Sequence, residues 1–546
     1  MALALTCGGT GLSQETRSPS GRVAPDVQWD HGWLDGAVFY EIFVRSFADS
    51  TTGPLANDGI GDLQGLIERL DYLNDGDPAT TSDLGITGIW LMPISPSPSY
   101  HGYDVTDYYG INPQYGTMED FRQFLAEAQR RGIRVVVDLV LNPSSSEHPN
   151  FRRALRGDPE YRDWYIWEEK APTYLGPWGQ PVWHRGQDGY YYGVFWSGMP
   201  DLNLENPAVN AEISEITRFW LEDMGVDGFR MDAIKHFVEN GVAQENTPAT
   251  HAWLQAFHIY YKSLNPEAFV VGETWTDTAN VLKYTGNEVD IGFQFDVAEA
   301  YVRAAGGPLA SSATENLRLT LESMPENQYG VFLTNHDQNR VMSVLNDFQK
   351  AKLAAVMLLT SPGVPFIYYG EEIGMTGSKP DEDIRLPMQW TGEAGTVGFT
   401  TGTPWRAPAG DYPTTNVLLQ SEDPGSLLNL YRFLIHLRSA HPALMNGSSL
   451  LVETDSARLY ALLRYDQDEA FLVLVNAHPK PLNSELYQLS LEAGPFQGLL
   501  QAESILGPAD PAAPVITADG GFSGYIPFAE IPAQSAAIIW LTPALP

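Results

Sequence analysis

One cysteine, Cys7, stands in 546 residues. No disulfide can therefore form within the chain, and the fold must rest on its core and its hydrogen bonds. Nowhere is there a run of about 20 apolar residues, which excludes a membrane-spanning helix. Basic residues are also scarce: 32 Lys and Arg face 68 Asp and Glu, a formal net charge of −36. Binding a phosphate backbone needs clustered cations, so no nucleic-acid partner is expected, and the substrate is read as neutral or cationic. The acidic excess fits a soluble, self-repelling surface or an adaptation to salt or acid. No internal repeat is found, and no low-complexity tract beyond the first 25 or so residues.

What is present is a large apolar and aromatic stock: 43% hydrophobic residues and 12% aromatic ones, including 14 Trp and 26 Tyr. That suffices for an extensive core and for flat faces on which sugar rings stack. MALALTC (1–7), followed by a Gly, Ser, Thr and Pro-rich stretch, resembles the end of an export signal or lipoprotein box with a tether. An extracellular or cell-surface location is expected, with a cytoplasmic one as the alternative.

From residue 37, β-type runs alternate with helical stretches, the pattern of parallel β/α units. Eight runs are strand candidates: 37–44, 86–93, 133–142, 226–232, 269–274, 291–296, 331–337 and 364–370. Between them, MEDFRQFLAEAQRRG (118–132) repeats apolar positions every three or four residues and ends on Gly132, predicting a helix. The fold class expected is α/β, a (β/α)8 TIM barrel over 29–142 and 206–440. A leader covers 1–28, an inserted subdomain follows strand three over 143–205, and a C-terminal antiparallel β-sandwich spans 441–546.

Three segments place a carboxylate just after an apolar run: Asp232 in GFRMDAIKH (228–236), Glu273 in VVGETW (270–275) and Asp337 in FLTNHDQN (332–339). Barrels deliver catalytic groups from the carboxyl ends of several strands. Glycosidic cleavage through an oxocarbenium-like transition state needs one carboxylate to attack and one carboxylic acid to protonate the leaving oxygen. Arg230 and Asp232, two apart on an extended chain, share a face. A guanidinium beside a carboxylate favours its ionised form, which suits a nucleophile. Glu273 ends a strand beside Trp275, where partial burial favours the neutral acid that a proton donor must be.

These segments resemble the α-amylase family of glycoside hydrolases, and the likeness runs from about residue 29 to the C-terminus. The resemblance implies that Asp232 is the nucleophile, Glu273 the general acid/base and Asp337 the transition-state stabiliser, with Arg230 and His336 as partners at the cleaved sugar. It implies retention of configuration. SYHGYDVTDYYG (99–110) resembles the family segment whose tyrosine stacks beneath the sugar; here that is Tyr103, with His101 and Asp104 as neighbours.

The resemblance also implies Ca2+. FADSTTGPLANDGIGDL (47–63) is similar to an oxygen-rich calcium loop, with Asp49, Asn57, Asp58, Ile60 and Asp62 as ligands, although extra residues separate Asp49 from the rest. A second set joins Asn142, Asp201 in MPDLN (199–203) and the backbone of His236. One departure concerns the Asn-His pair usual after strand three, which here is Asn142-Pro143. Proline cannot supply the missing histidine's hydrogen bond, so activity is expected to survive in weakened form, with His148 as the candidate to compensate.

Ala233, Lys235 and His236 resemble the α-amylase pattern, in which the Lys-His pair binds the sugar on the leaving-group side. MPDLN resembles a group intermediate between oligo-1,6-glucosidases and neopullulanases that includes α-amylases. About 30 residues precede the first barrel strand, fewer than the extra N-terminal β-domain of cyclomaltodextrinases requires. The expected enzyme is a monomer that cleaves internal α-1,4 bonds of starch and maltooligosaccharides. A neopullulanase-like or α-1,6-active hydrolase or transglycosylase is the alternative, and an inactive glycan-binding relative a more distant one.

Overall fold

The computed structural model describes residues 32–544, so Cys7 and the leader lie outside the described residues. Eight parallel strands close a barrel: β1 Phe39–Ile42, β2 Gly88–Leu91, β3 Arg134–Leu139, β4 Gly228–Met231, β5 Phe269–Gly272, β6 Ile291–Phe293, β7 Tyr329–Val331 and β8 Val364–Tyr368. Their order around the barrel is sequential, with β8 pairing on β1 through Phe366 and Phe39. Each candidate run yields a strand. The seventh sits earlier than expected: only Val331 of 331–337 joins the ladder, while Phe332 and Leu333 are buried past it and the polar residues 334–337 lead on toward the barrel mouth.

Side chains alternate along a strand, and here the inward ones are layered. Phe39, Trp90, Phe269, Phe293 and Phe366 fill the lower barrel, with Phe39 and Phe366 stacked at 4.7 Å. Above that layer, four strand ends turn polar: Glu41 lies two residues after Phe39, Asp138 after Val136, Arg230 after Gly228, and Glu273 after Val271. Gly228 is required where β4 meets β5, because a Cβ there would lie 1.8 Å from the Phe269 carbonyl oxygen. The aromatic layer is thus a dry floor beneath a charged one. No described helix is long and apolar enough to cross a membrane.

The helix Met118–Arg130 forms as its periodicity predicts, started by a capping box between Thr117 and Asp120. Between β3 and β4 lie a short helix, Pro149–Leu155, and a three-stranded sheet of Trp167–Glu168, Tyr190–Tyr192 and Trp183–Arg185. The C-terminal part holds a five-stranded and a three-stranded antiparallel sheet with a core of their own. Two buried arginines lie at its junction with the barrel, Arg438 on the helix Leu427–Ala440 and Arg464 on a strand of the five-stranded sheet. Arg438 donates to the carbonyls of Leu359, Ser361 and Gly363, and Arg464 to those of Thr360 and Gly447.

After β8, Glu371 and Glu372 are buried against neutral hydroxyls: Tyr431 donates to Glu371, and Tyr40 and Tyr72 to Glu372. Burial pushes Glu371 up to about 8 against the Tyr431 hydrogen bond, with Glu372 adding to the rise and Arg340 opposing it. A folded-state value above the unfolded one means stability that is complete below about pH 4 and lost as pH rises through about 8. Glu371→Gln is therefore expected to flatten the fall in Tm between pH 5 and pH 9 seen by calorimetry. An unchanged slope would assign that fall to other groups.

Candidate active site

The charged layer is organised by one fully buried guanidinium. Arg230 Nη1 donates to Asp232 Oδ1 at 2.7 Å and to Asp138 Oδ2 at 2.9 Å, and its Nη2 to Glu273 Oε2 at 2.9 Å. It lies 5.1 Å over the Trp90 ring, resting on the aromatic floor. Ala233, whose backbone is left-handed at φ 46°, turns its N–H back onto the same Glu273 Oε2 at 3.0 Å. Both donors on Oε2 leave Oε1 for the cleft. The two nitrogens of a single guanidinium thus hold Asp232 and Glu273 to one shared cation.

Sharing alters the electrostatics expected from sequence. Arg230 alone was expected to keep Asp232 ionised. Instead, burial pushes Asp232 up to about 8 against the pull of Arg230, with Glu273, Asp138 and Asp337 adding to the rise. One cation cannot fully answer this many buried carboxylates. Asp337 behaves oppositely: burial would raise it, but His336, Arg385, Arg230 and Lys379 hold it at about 2. Arg385 donates to Asp337 Oδ1 at 2.8 Å and to the His336 carbonyl at 3.0 Å. For His336, burial pulls downward, yet Asp337 and Glu41 together raise it above the ordinary imidazole value.

Tyr103 stacks on His336 with ring centroids 5.6 Å apart. Its hydroxyl meets His336 Nε2 at 2.7 Å and donates to Asp138 Oδ2 at 3.0 Å. A cleft of about 700 Å³ opens above this layer, lined by Asp232, Glu273, Asp337, His101, Tyr103, Lys235 and His236. Arg230, His336 and Asp104 do not line it. The first two act from below, and Asp104 accepts hydroxyl hydrogen bonds from Ser97 and Ser99, steadying the loop that carries Tyr103. His148 is also elsewhere, capping the helix Pro149–Leu155 by accepting from the Asn150 N–H. Pro143 is buried in a bridge to Asp201, its carbonyl taking the Tyr108 hydroxyl.

Several further residues belong to the site. Asp138 and Glu41 are single acids inside apolar strands, a pattern that itself demands a buried partner. Arg385, Lys379 and Asp381 reach the cleft from the loop after β8, and Trp178, Phe195, Trp196 and Met199 from the insert.

The two sets of candidate calcium ligands differ in what they offer. Both oxygens of Asp49 accept within the loop or from Thr400, from the N–H groups of Asn57 at 2.9 Å and Gly59 at 2.8 Å and the Thr400 hydroxyl at 2.6 Å. Asp62 takes Gly65 N–H and Ser50, Asn57 takes the Thr401 hydroxyl, and Asp58 takes the Ile60 N–H. In the second set, Asn142 Oδ1 is buried without a donor. Asp201 is wholly buried, and burial, reinforced by Glu239, pushes it well above the carboxylate range. Oxygens of this kind fit a hard cation, which uses amide and backbone carbonyls as well as carboxylates. Among the described residues, no three His, Cys, Asp or Glu side chains gather at one point.

Residues 41–447 match the family described as Alpha amylase, catalytic domain. The chain belongs to the α-amylase family. "Alpha-amylase 3" of Dictyoglomus thermophilum is 40% identical over 456 residues, covering 82% of this chain and 86% of the relative. The oligo-1,6-glucosidase of Parageobacillus thermoglucosidasius is 33% identical over 82% of this chain and 91% of its own length. The crystal structure of the α-amylase from H. orenii superposes with a TM-score of 0.79 at 38% identity, covering 93% of this chain and all of that one. As a member of the α-amylase family, this chain is a glycoside hydrolase type of enzyme. Other relatives are named trehalose synthase and glucan 1,6-alpha-glucosidase.

Proposed function

We propose that the protein is an α-amylase that cleaves internal α-1,4 bonds of starch and maltooligosaccharides with retention of configuration. The observation that carries this reading is the pairing of Asp232 and Glu273 on one guanidinium beneath a cleft flanked by exposed tryptophans. Asp232 attacks the anomeric carbon as Glu273 protonates the departing oxygen, and Glu273 then takes a proton from the water that releases the sugar. The step requires Asp232 ionised to attack and Glu273 protonated to donate. Asp337, held ionised, accepts from sugar hydroxyls. Lys235, tied to the Trp275 carbonyl at 3.0 Å and to Glu245 at 2.9 Å, sits with His236 on the leaving-group side.

Separate digestion of soluble starch, pullulan and isomaltose tests the reading. Maltooligosaccharides from starch with inert isomaltose support it, and the reverse would refute it. The second reading, an α-1,6-active hydrolase or transferase, is favoured by relatives named oligo-1,6-glucosidase and trehalose synthase. A bound Ca2+ held by Asn142, Asp201 and the His236 carbonyl would pin the insert to the barrel. Chelation with EDTA is then expected to lower Tm by several degrees, restored by Ca2+, whereas an indifferent Tm would remove the ion from this site.

A further inference from the structure

Trp178 stands at the tip of a tight turn in the insert, 60% exposed yet lining the same cleft as Asp232 and Glu273. Its ring stacks on Phe195 at 5.8 Å and 24°, and meets the His236 ring edge-on at 5.5 Å. An indole left open to water within an active cleft is a surface waiting for a flat apolar partner. The axial C–H face of a glucosyl ring is such a partner.

The turn is not free to move. Trp178 N–H donates to Gln180 Oε1 at 2.9 Å, and Gln180 Nε2 to the Val194 carbonyl at 2.7 Å. Gln244, 7% exposed and carried by the barrel, joins three parts of the site. Its Nε2 donates to the Leu175 carbonyl at 2.8 Å, its Oε1 accepts from Tyr192 at 2.9 Å, and its carbonyl meets His236 Nδ1 at 2.8 Å. The Gln244 side chain thus ties the approach to the Trp178 turn to Tyr192, while its main-chain carbonyl holds the His236 ring that Trp178 meets.

Resting on the α-amylase reading, we infer that Trp178 is a sugar platform on the leaving-group side, and that Gln244 is the positioning residue that fixes it there. The enzyme therefore selects chains that extend beyond the first glucose after the scissile bond. Lys235 and His236 hold that first ring, and Trp178 stacks the next.

The test compares kcat/KM on maltoheptaose and maltotriose. Trp178→Ala is expected to lower the value for maltoheptaose by about fivefold to tenfold through KM, with kcat held, and that for maltotriose by less than about twofold. Trp178→Phe, which keeps a flat face, should recover most of the loss. Gln244→Ala should reproduce the chain-length effect with Trp178 intact, a pattern that general loosening of the fold would not give. Equal losses on both substrates, or none on either, would overturn the proposal. If wild-type protein fails to cleave maltoheptaose at all, it is the α-amylase reading that falls.

Discussion

Asp232→Asn is expected to slow reducing-sugar release from soluble starch by about 10⁴-fold to 10⁶-fold, the scale on which losing a nucleophile is felt. The substitution is nearly isosteric, and the amide oxygen can still accept from Arg230 Nη1, which holds the carboxylate at 2.7 Å. What disappears, on the proposed mechanism, is the carboxylate that attacks the anomeric carbon. Removing a buried acid that sits at about 8 also removes a group whose folded state resists ionisation. The variant should therefore unfold at a temperature equal to or above that of wild type at pH 8, so lost activity cannot be blamed on lost fold. Equal release by both proteins would strip Asp232 of its role, whereas no release by wild type would favour a glycan-binding relative without activity.

Arg230→Ala is expected to destabilise the protein by about 3 to 5 kcal/mol, because deleting one partner of a buried ion pair strands the other. Three carboxylates lose their counter-charge here. Against a typical total of about 5 to 15 kcal/mol, that is a large share. Urea unfolding measures it, and Asp138→Asn in the same background makes the result diagnostic. Residues in one network do not add. The double variant should be more stable than Arg230→Ala alone, since an unpaired charge has gone. Strict additivity would show that Asp138 is answered by other groups.

The barrel was legible because buried parallel strands read as short apolar runs, and all eight runs form strands. The seventh misled because burial without pairing looks the same in sequence: Phe332 and Leu333 are as apolar as strand residues but lie past the ladder. Asp232, Glu273 and Asp337 were legible as carboxylates after such runs. The charge state of Asp232 was not, since the neighbour in sequence, Arg230, is shared with Asp138 from β3 and Glu273 from β5. Pairing across strands cannot be counted along a chain. Trp178 and Gln244 escaped for another reason: the insert has no periodicity, and their relation exists only once it folds back on the barrel. Asp138 and Glu41 were missed although a signal was there, one acid within each apolar strand.

Arg438 and Arg464 have a wider consequence. Arg438 spends its donors on main-chain carbonyls at the end of the helix Phe348–Thr360 and on the turn leading into β8, the strand that closes the barrel onto β1, and Arg464 donates to Thr360 at the same helix end. Arg464 belongs to the C-terminal sheets. A chain shortened before residue 448 would therefore leave the closing strand's approach without one of its two clasps. The β-domain is part of how the barrel shuts.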